Sequence, residues 1–241
     1  MKSYKARGIV LHTLRYGDNS LIVYILTDVL GRQTYMVRNA ASKGGRTRAA
    51  ALFQPMFAVE FEGLESPRAQ MHRMKDVECA LPMRSIPFDI RKSTISLFMA
   101  EVLYRLIREV EPNEELFDFL YDSVAHLDDM QQGVANFHLW FLVRLSRFLG
   151  FYPAGDYTAG AWFDMQEGHF SSAQPLHAAV INPAGAELLW RLMECGAEGL
   201  CDIRLSRSDR TAFLDDILGY FGYHLDAMHT IRSVDILREV F

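Results

Sequence analysis

The chain has 241 residues, half of them hydrophobic, with 30 Asp/Glu against 25 Lys/Arg and a formal net charge of -5. This is enough apolar material for one large domain or two modest ones, and it excludes a chain that is mainly disordered. The longest charge-free stretch, residues 168–186, holds two Pro, two His, two Ser, Gln and Asn, which excludes a bilayer span; three cysteines, Cys79, Cys195 and Cys201, are too few for a disulfide framework.

The opening residues, MKSYKAR, carry no apolar leader and run straight into a strand pattern, so the protein is expected to stay in a reducing cytoplasm. Arg7–Leu14 and Ser20–Thr27 are apolar and β-branched with a Tyr-Gly-Asp-Asn turn between them, which predicts two strands. After Gly31, Gln33, Tyr35 and Val37 alternate against Thr34, Met36 and Arg38, predicting a third. Phe57–Phe61 and Ala69–Val77 supply a fourth and a fifth. Five short strands in residues 1–78 predict a small barrel, with the oligonucleotide-binding (OB) type as the five-stranded candidate; an SH3-like barrel gives much the same pattern.

Between strands three and four lies the most unusual stretch. No Asp or Glu occurs between Asp28 and Glu60, while Arg32, Arg38, Lys43, Arg46 and Arg48 all fall there. Residues 39–47, NAASKGGRT, read as a glycine-rich loop tip, and residues 46–53 as a short helix. Charge is divided along the whole chain in the same sense. Residues 1–75 hold twelve Lys/Arg against five Asp/Glu, a net +7, and the remainder holds thirteen against twenty-five, a net -12. A polyanion-binding module joined to an acidic body fits that division.

After Cys79 the period changes from two to helical. Ile95, Phe98, Met99, Val102, Leu103, Leu106, Ile107 and Val110 form one stripe with Glu101 and Arg105 on the opposite face, and Pro112 is expected to end the helix. Asn113 caps a second helix to about Asp129, and a third, Val134–Leu149, is apolar almost all round, so it belongs at the centre of a helical bundle. Residues 152–180 lose the helical period; Trp162-Phe163-Asp164 and His169-Phe170-Ser171 read as a small hairpin. Asn182-Pro183 opens another helix, Ser208–Leu225 forms the next, and Ser233 starts the last. The predicted fold class is therefore α+β: a barrel over residues 1–78 and a helical domain over residues 79–241 with a hairpin insert.

In this order and spacing the features resemble the bacterial RecO recombination mediators. The likeness is carried by RGIVLHTLRYGDNSLIVYILTDVLGR, the basic loop followed by Phe53-Gln54-Pro55, the helix end Leu149-Gly150-Phe151 and the closing RSVDILREVF. It implies an OB barrel, a helical C-terminal domain, no catalysis, and a DNA-repair role. The implied activities are binding of single- and double-stranded DNA, annealing of complementary strands, and recombinase loading onto DNA coated with the single-strand-binding protein SSB. The implied partners are RecR and SSB. Many members carry four zinc-ribbon cysteines after the Leu-Gly-aromatic helix end; residues 152–180 contain none, so neither zinc nor any other cofactor is expected, and His169 with His177 makes a poor tetrahedral set.

For nucleic acid, the expected contacts are Arg32, Arg38, Lys43, Arg46 and Arg48, with Lys2 and Arg7 as additions near the N-terminus. Tyr35 is either a base-stacking platform or a core residue. For the acidic, hydrophobic SSB tail that the resemblance implies, Arg144 and Arg147 with Leu139, Trp140 and Leu142 are the expected pocket; the bland reading is two arginines snorkelling from a buried helix. The rival from another class is a metal-dependent nuclease using Asp128-Asp129 or Asp215-Asp216, pairs better read as solvated helix faces; a third reading is a general RNA or single-strand binding module. The Ser42–Arg46 glycines lack the P-loop pattern.

Overall fold

The structure is a computed structural model that describes residues 3–38, 50–64, 71–108 and 111–241. The chain divides into two compact units, Met1–Asp129 and Met130–Phe241.

The first unit is built on β1 (Ser3–Tyr16), β2 (Ser20–Thr27), β3 (Gly31–Val37), β4 (Ala58–Leu64) and β5 (His72–Cys79). They close into a barrel in the order β1-β2-β3-β5-β4, with β3 and β5 parallel and β4 returning antiparallel to β1. This is the five-stranded closed barrel expected from the sequence, in OB-type order. Period-two alternation turns Ala6, Val10, Leu21, Val23, Ile25, Tyr35, Val59 and Phe61 inward, and Phe53 plugs the same core from the segment before β4. Gly8 lies where two strands crowd: a Cβ there would come within 2.3 Å of Ile25 Cγ2 and 3.2 Å of Phe61. A register shift between Val10 and His12 adds a residue to β1, so Ile9 and Leu11 are both buried where the first helix packs, and His12 emerges beside that helix.

That helix, α1 (Ile90–Leu106), is capped by Asp89, whose carboxylate accepts from the amides of Arg91 and Lys92. It stops earlier than Pro112 suggests. Ile107 is already extended, and the Arg32 guanidinium donates to the carbonyls of Tyr104 at 2.7 Å and Ile107 at 2.5 Å. A cation from β3 thus satisfies last-turn acceptors that a longer helix would have satisfied internally. Next, α2 (Glu114–Asp129) begins with Asn113 Oδ1 accepting from Leu116 N at 2.9 Å.

In the second unit α3 (Phe137–Phe148) is the axis: Phe137, Leu139, Phe141, Leu142, Val143 and Leu145 are essentially inaccessible. The insert contains β6 (Trp162–Asp164) and β7 (His169–Ser171) as expected, plus a two-residue strand β8 (Val180–Ile181) that makes a three-stranded sheet. Its turn is held by Asp164, whose carboxylate accepts from Gln166 N at 2.9 Å and Glu167 N at 3.0 Å and pairs with His177 Nε2 at 3.0 Å. Phe163 packs edge-on to Phe170 and Tyr220. A carboxylate and an aromatic cluster therefore organise this segment. Around α3 lie α4 (Pro183–Glu194), capped by Asn182, and α5 (Arg207–His224), capped by Ser206, while α6 (Ser233–Val240) is tied to α5 by Arg238 and Asp215.

Candidate nucleic-acid interface

The predicted cations have different environments. Lys2, Lys43, Arg46 and Arg48 lie outside the described residues, as does most of the expected short helix over residues 46–53. Arg38 is exposed at the end of β3. Arg7 is committed within the unit: its amide and Nε bond Asp28 at 3.0 and 3.3 Å, and its guanidinium lies over the rings of Phe117 and Tyr121 at 5.3 and 5.5 Å. It ties β1 to α2 while its side chain stays 46% exposed. Tyr35 is corrected as a stacking platform. It is wholly buried, its hydroxyl bonds Tyr4 at 2.9 Å, and burial pushes its phenol well above the usual range.

The face that the barrel does present beside α1 is not the one the sequence singles out. Strand register aligns Thr34, Tyr24 and His12 in one outward row across β3, β2 and β1, and Met36, Ile22 and Leu14 in the row beside it. His12 and Tyr24 are half-buried, and Tyr104 of α1 packs against both, with ring centroids 4.5 and 5.0 Å away. Arg32 lies over Tyr104 at 4.6 Å and over Tyr24 at 5.4 Å. An open cavity of about 360 Å³ at this end is lined by Arg32, Thr34, Tyr104, Arg105 and Arg108. The mixture is aromatic surface beside guanidinium groups, with β2–β3 contributing as they do in oligonucleotide-binding barrels. Burial, and then the positive charge of Arg105 and Arg32, holds His12 below its ordinary pKa against the opposing pull of Glu101.

Comparison with known proteins decides the lineage. The family description "Recombination protein O N terminal" matches residues 1–83 and "Recombination protein O C terminal" matches residues 87–232. The chain belongs to the Recombination protein O family. Its relatives include proteins named DNA repair protein RecO from Bacteroides fragilis, 42% identical over 239 residues, and Phocaeicola vulgatus, 40% identical over 238; each alignment spans 98% of both chains. One from Flavobacterium psychrophilum is 35% identical over 238 residues with the same coverage.

In this Recombination protein O member the pocket expected for an SSB tail is not assembled from the residues predicted for it. Leu139 and Leu142 are inaccessible at the centre of α3, and Trp140 is buried with its Nε1 donating to Cys195 O at 3.1 Å. Arg144 reaches Met193 O at 3.1 Å near the end of α4, and Arg147 is exposed. With its apolar side chains turned into the core, α3 leaves Leu139, Trp140 and Leu142 unable to line a peptide groove. The acidic pairs also differ from expectation. Asp128 is not solvated: it is buried and accepts from Arg84 N at 2.7 Å, Ser85 N at 2.9 Å and Ile86 N at 2.8 Å. Those bonds hold its carboxyl below the usual range despite burial. Asp215 pairs with Arg238, while burial, with Asp215 adding to it, pushes Asp216 up to about 6. Among the described residues no group of three or more His, Cys, Asp or Glu is placed to hold a metal ion, and no helix is long and apolar enough to cross a membrane.

Sequence reading missed His12, Tyr24, Tyr104, Arg105 and Arg108. Two signals point to them. Tyr24 falls out of phase with the core residues Val23 and Ile25 on β2, and Arg105 and Arg108 are three apart at the end of a helical stripe.

Proposed function

We propose that this chain is a non-enzymatic DNA repair and recombination mediator of the cytoplasm and nucleoid. In this reading the barrel module, residues 1–78, binds single- and double-stranded DNA without reading sequence. The protein anneals complementary strands and, together with RecR, helps load recombinase onto SSB-coated DNA; residues 79–241 supply the protein contacts. The observation that carries the reading is the outward β1–β3 face, where Tyr24, His12 and Tyr104 lie beside Arg32, Arg105 and Arg108. Rings give stacking surface that every base satisfies, and guanidinium groups neutralise phosphates, so affinity without sequence preference follows. Arg38, Lys43, Arg46 and Arg48 extend the cationic set along the chain after β3. Lys2 is kept as an N-terminal addition.

The deciding experiment is annealing of complementary strands pre-coated with cognate SSB, comparing wild type with Lys43→Ala/Arg46→Ala/Arg48→Ala. The variant should anneal poorly while its far-UV circular dichroism is unchanged. Equal rates would remove Lys43, Arg46 and Arg48 from the site. Failure of the wild type to bind any oligonucleotide in dilute buffer would remove the function.

A further inference from the structure

The end of α1 carries more positive charge than the described carboxylates around it balance. Arg32, Arg105 and Arg108 converge on one open cavity. Arg32 is fixed there by two carbonyl acceptors, at Tyr104 and Ile107, so its position does not depend on any ligand. Arg105 also lies near Tyr104, its Cζ 5.8 Å from the ring centroid, and its Nε is enclosed with no acceptor among the described residues. Glu101 approaches Arg105 only at 3.9 Å, and among the described residues Arg108 has no carboxylate within ion-pair distance. Among the described residues, the one carboxylate paired with these three guanidinium groups is that of Glu101. Like charges gathered this closely repel, and an enclosed guanidinium N–H without an acceptor is unfavourable. An anion with several oxygens would relieve both at once, and planar N–H forks match its geometry.

We propose that Arg32, Arg105 and Arg108, grouped at Tyr104 where β3 meets the end of α1, bind a backbone phosphate of single-stranded nucleic acid. The site rests on the proposed nucleic-acid function and extends it from the barrel onto the first helix. Bases of the same strand lie towards Tyr24 and the outward row of β1–β3. Arg32 serves twice, ending α1 and presenting a prepositioned charge; Arg105 and Arg108 close on the phosphate.

Two measurements on the full chain test this. The first uses sulfate as the probe and His12 as reporter, because His12 adjoins Arg32, Arg105, Glu101, Tyr24 and Tyr104. An NMR pH titration in sodium sulfate, against sodium chloride at equal ionic strength, should show the His12 pKa rising in wild type and not in Arg105→Ala/Arg108→Ala. The second follows a fluorescent oligothymidine by anisotropy across a salt series. The same double variant should lower the log-log salt slope by about 0.7 for each phosphate it no longer neutralises, while Arg105→Lys/Arg108→Lys retains most of it. Absence of a sulfate-dependent rise in wild type overturns the site alone. Oligonucleotide binding with an unchanged slope in the double variant also overturns it and leaves the proposed function standing. No oligonucleotide binding by wild type brings down both.

Discussion

At the level of single residues, burial decides the chemistry. His138 is fully enclosed beside Phe241, and desolvation, with Arg210 adding to it, drives its pKa down to about 3. The folded protein therefore keeps it neutral, whereas the unfolded chain takes up a proton below pH 6.5. Its contribution is complete above pH 6.5 and falls as the pH drops towards 3, by about 2–3 kcal/mol at pH 4.5. Thermal denaturation should show that decline in wild type and a flatter profile in His138→Gln. Asp216 behaves in the opposite sense. Its folded pKa of about 6 lies above the ordinary 3.8, so ionisation opposes folding increasingly as pH rises from 4 to beyond 6. Asp216→Asn should stabilise the protein by about 1–2 kcal/mol at pH 8, after allowance for solvent screening, and by almost nothing at pH 4. Chemical denaturation at the two pH values checks it. Neither environment is visible in the sequence, where Asp215 and Asp216 are simply adjacent acids and His138 one histidine in an apolar helix.

Elements were largely legible, because strands and helices follow from short-range spacing. The apolar, β-branched run of residues 20–27, the Asn113 and Asn182 caps, and the largely apolar run of α3 each rest on neighbours a few positions apart. The exceptions are elements set by distant partners. The end of α1 depends on Arg32, 75 residues before Ile107, and β8 exists only because Val180 and Ile181 meet β6. Two substitutions test what holds the first unit together. Gly8→Ala pushes a methyl group into Ile25 and Phe61, and such overpacking should cost about 1–3 kcal/mol. Asp128→Ala strips three amides and buried Lys92, whose Nζ donates to Asp128 O and Ser85 Oγ at 2.7 Å, of a carboxylate neighbour. A destabilisation of about 3–5 kcal/mol is expected in urea unfolding. Little change would show the carboxylate to be replaceable by water.

Across the whole molecule charge is divided, net +7 in residues 1–75 and net -12 beyond, and the proposed DNA binding draws on the basic part. Single-strand affinity should fall steeply with salt, and Lys43→Ala/Arg46→Ala/Arg48→Ala should make the log-log slope shallower by up to about 2, since each neutralised phosphate contributes about 0.7. Anisotropy titrations from low to physiological salt measure this, and a slope equal to wild type would place those cations away from the strand. By itself the sequence determined most of the strand and helix order, a small five-stranded barrel, the lineage and the segregation of charge, all properties of composition and of residues close along the chain; that the barrel closes in OB-type order came from the fold. Only tertiary structure decided which cations are available. Period-two alternation assigns Tyr35 and Tyr24 to opposite faces, but closure of β1-β2-β3-β5-β4 determines that Tyr35 is the one inside. Likewise the sequence offers Arg7 and Arg32 as phosphate contacts, and only the fold brings Asp28 and Phe117 to the first and the carbonyls of Tyr104 and Ile107 to the second. A side chain's type is fixed by its codon, whereas its partners are fixed by chain closure over tens of residues.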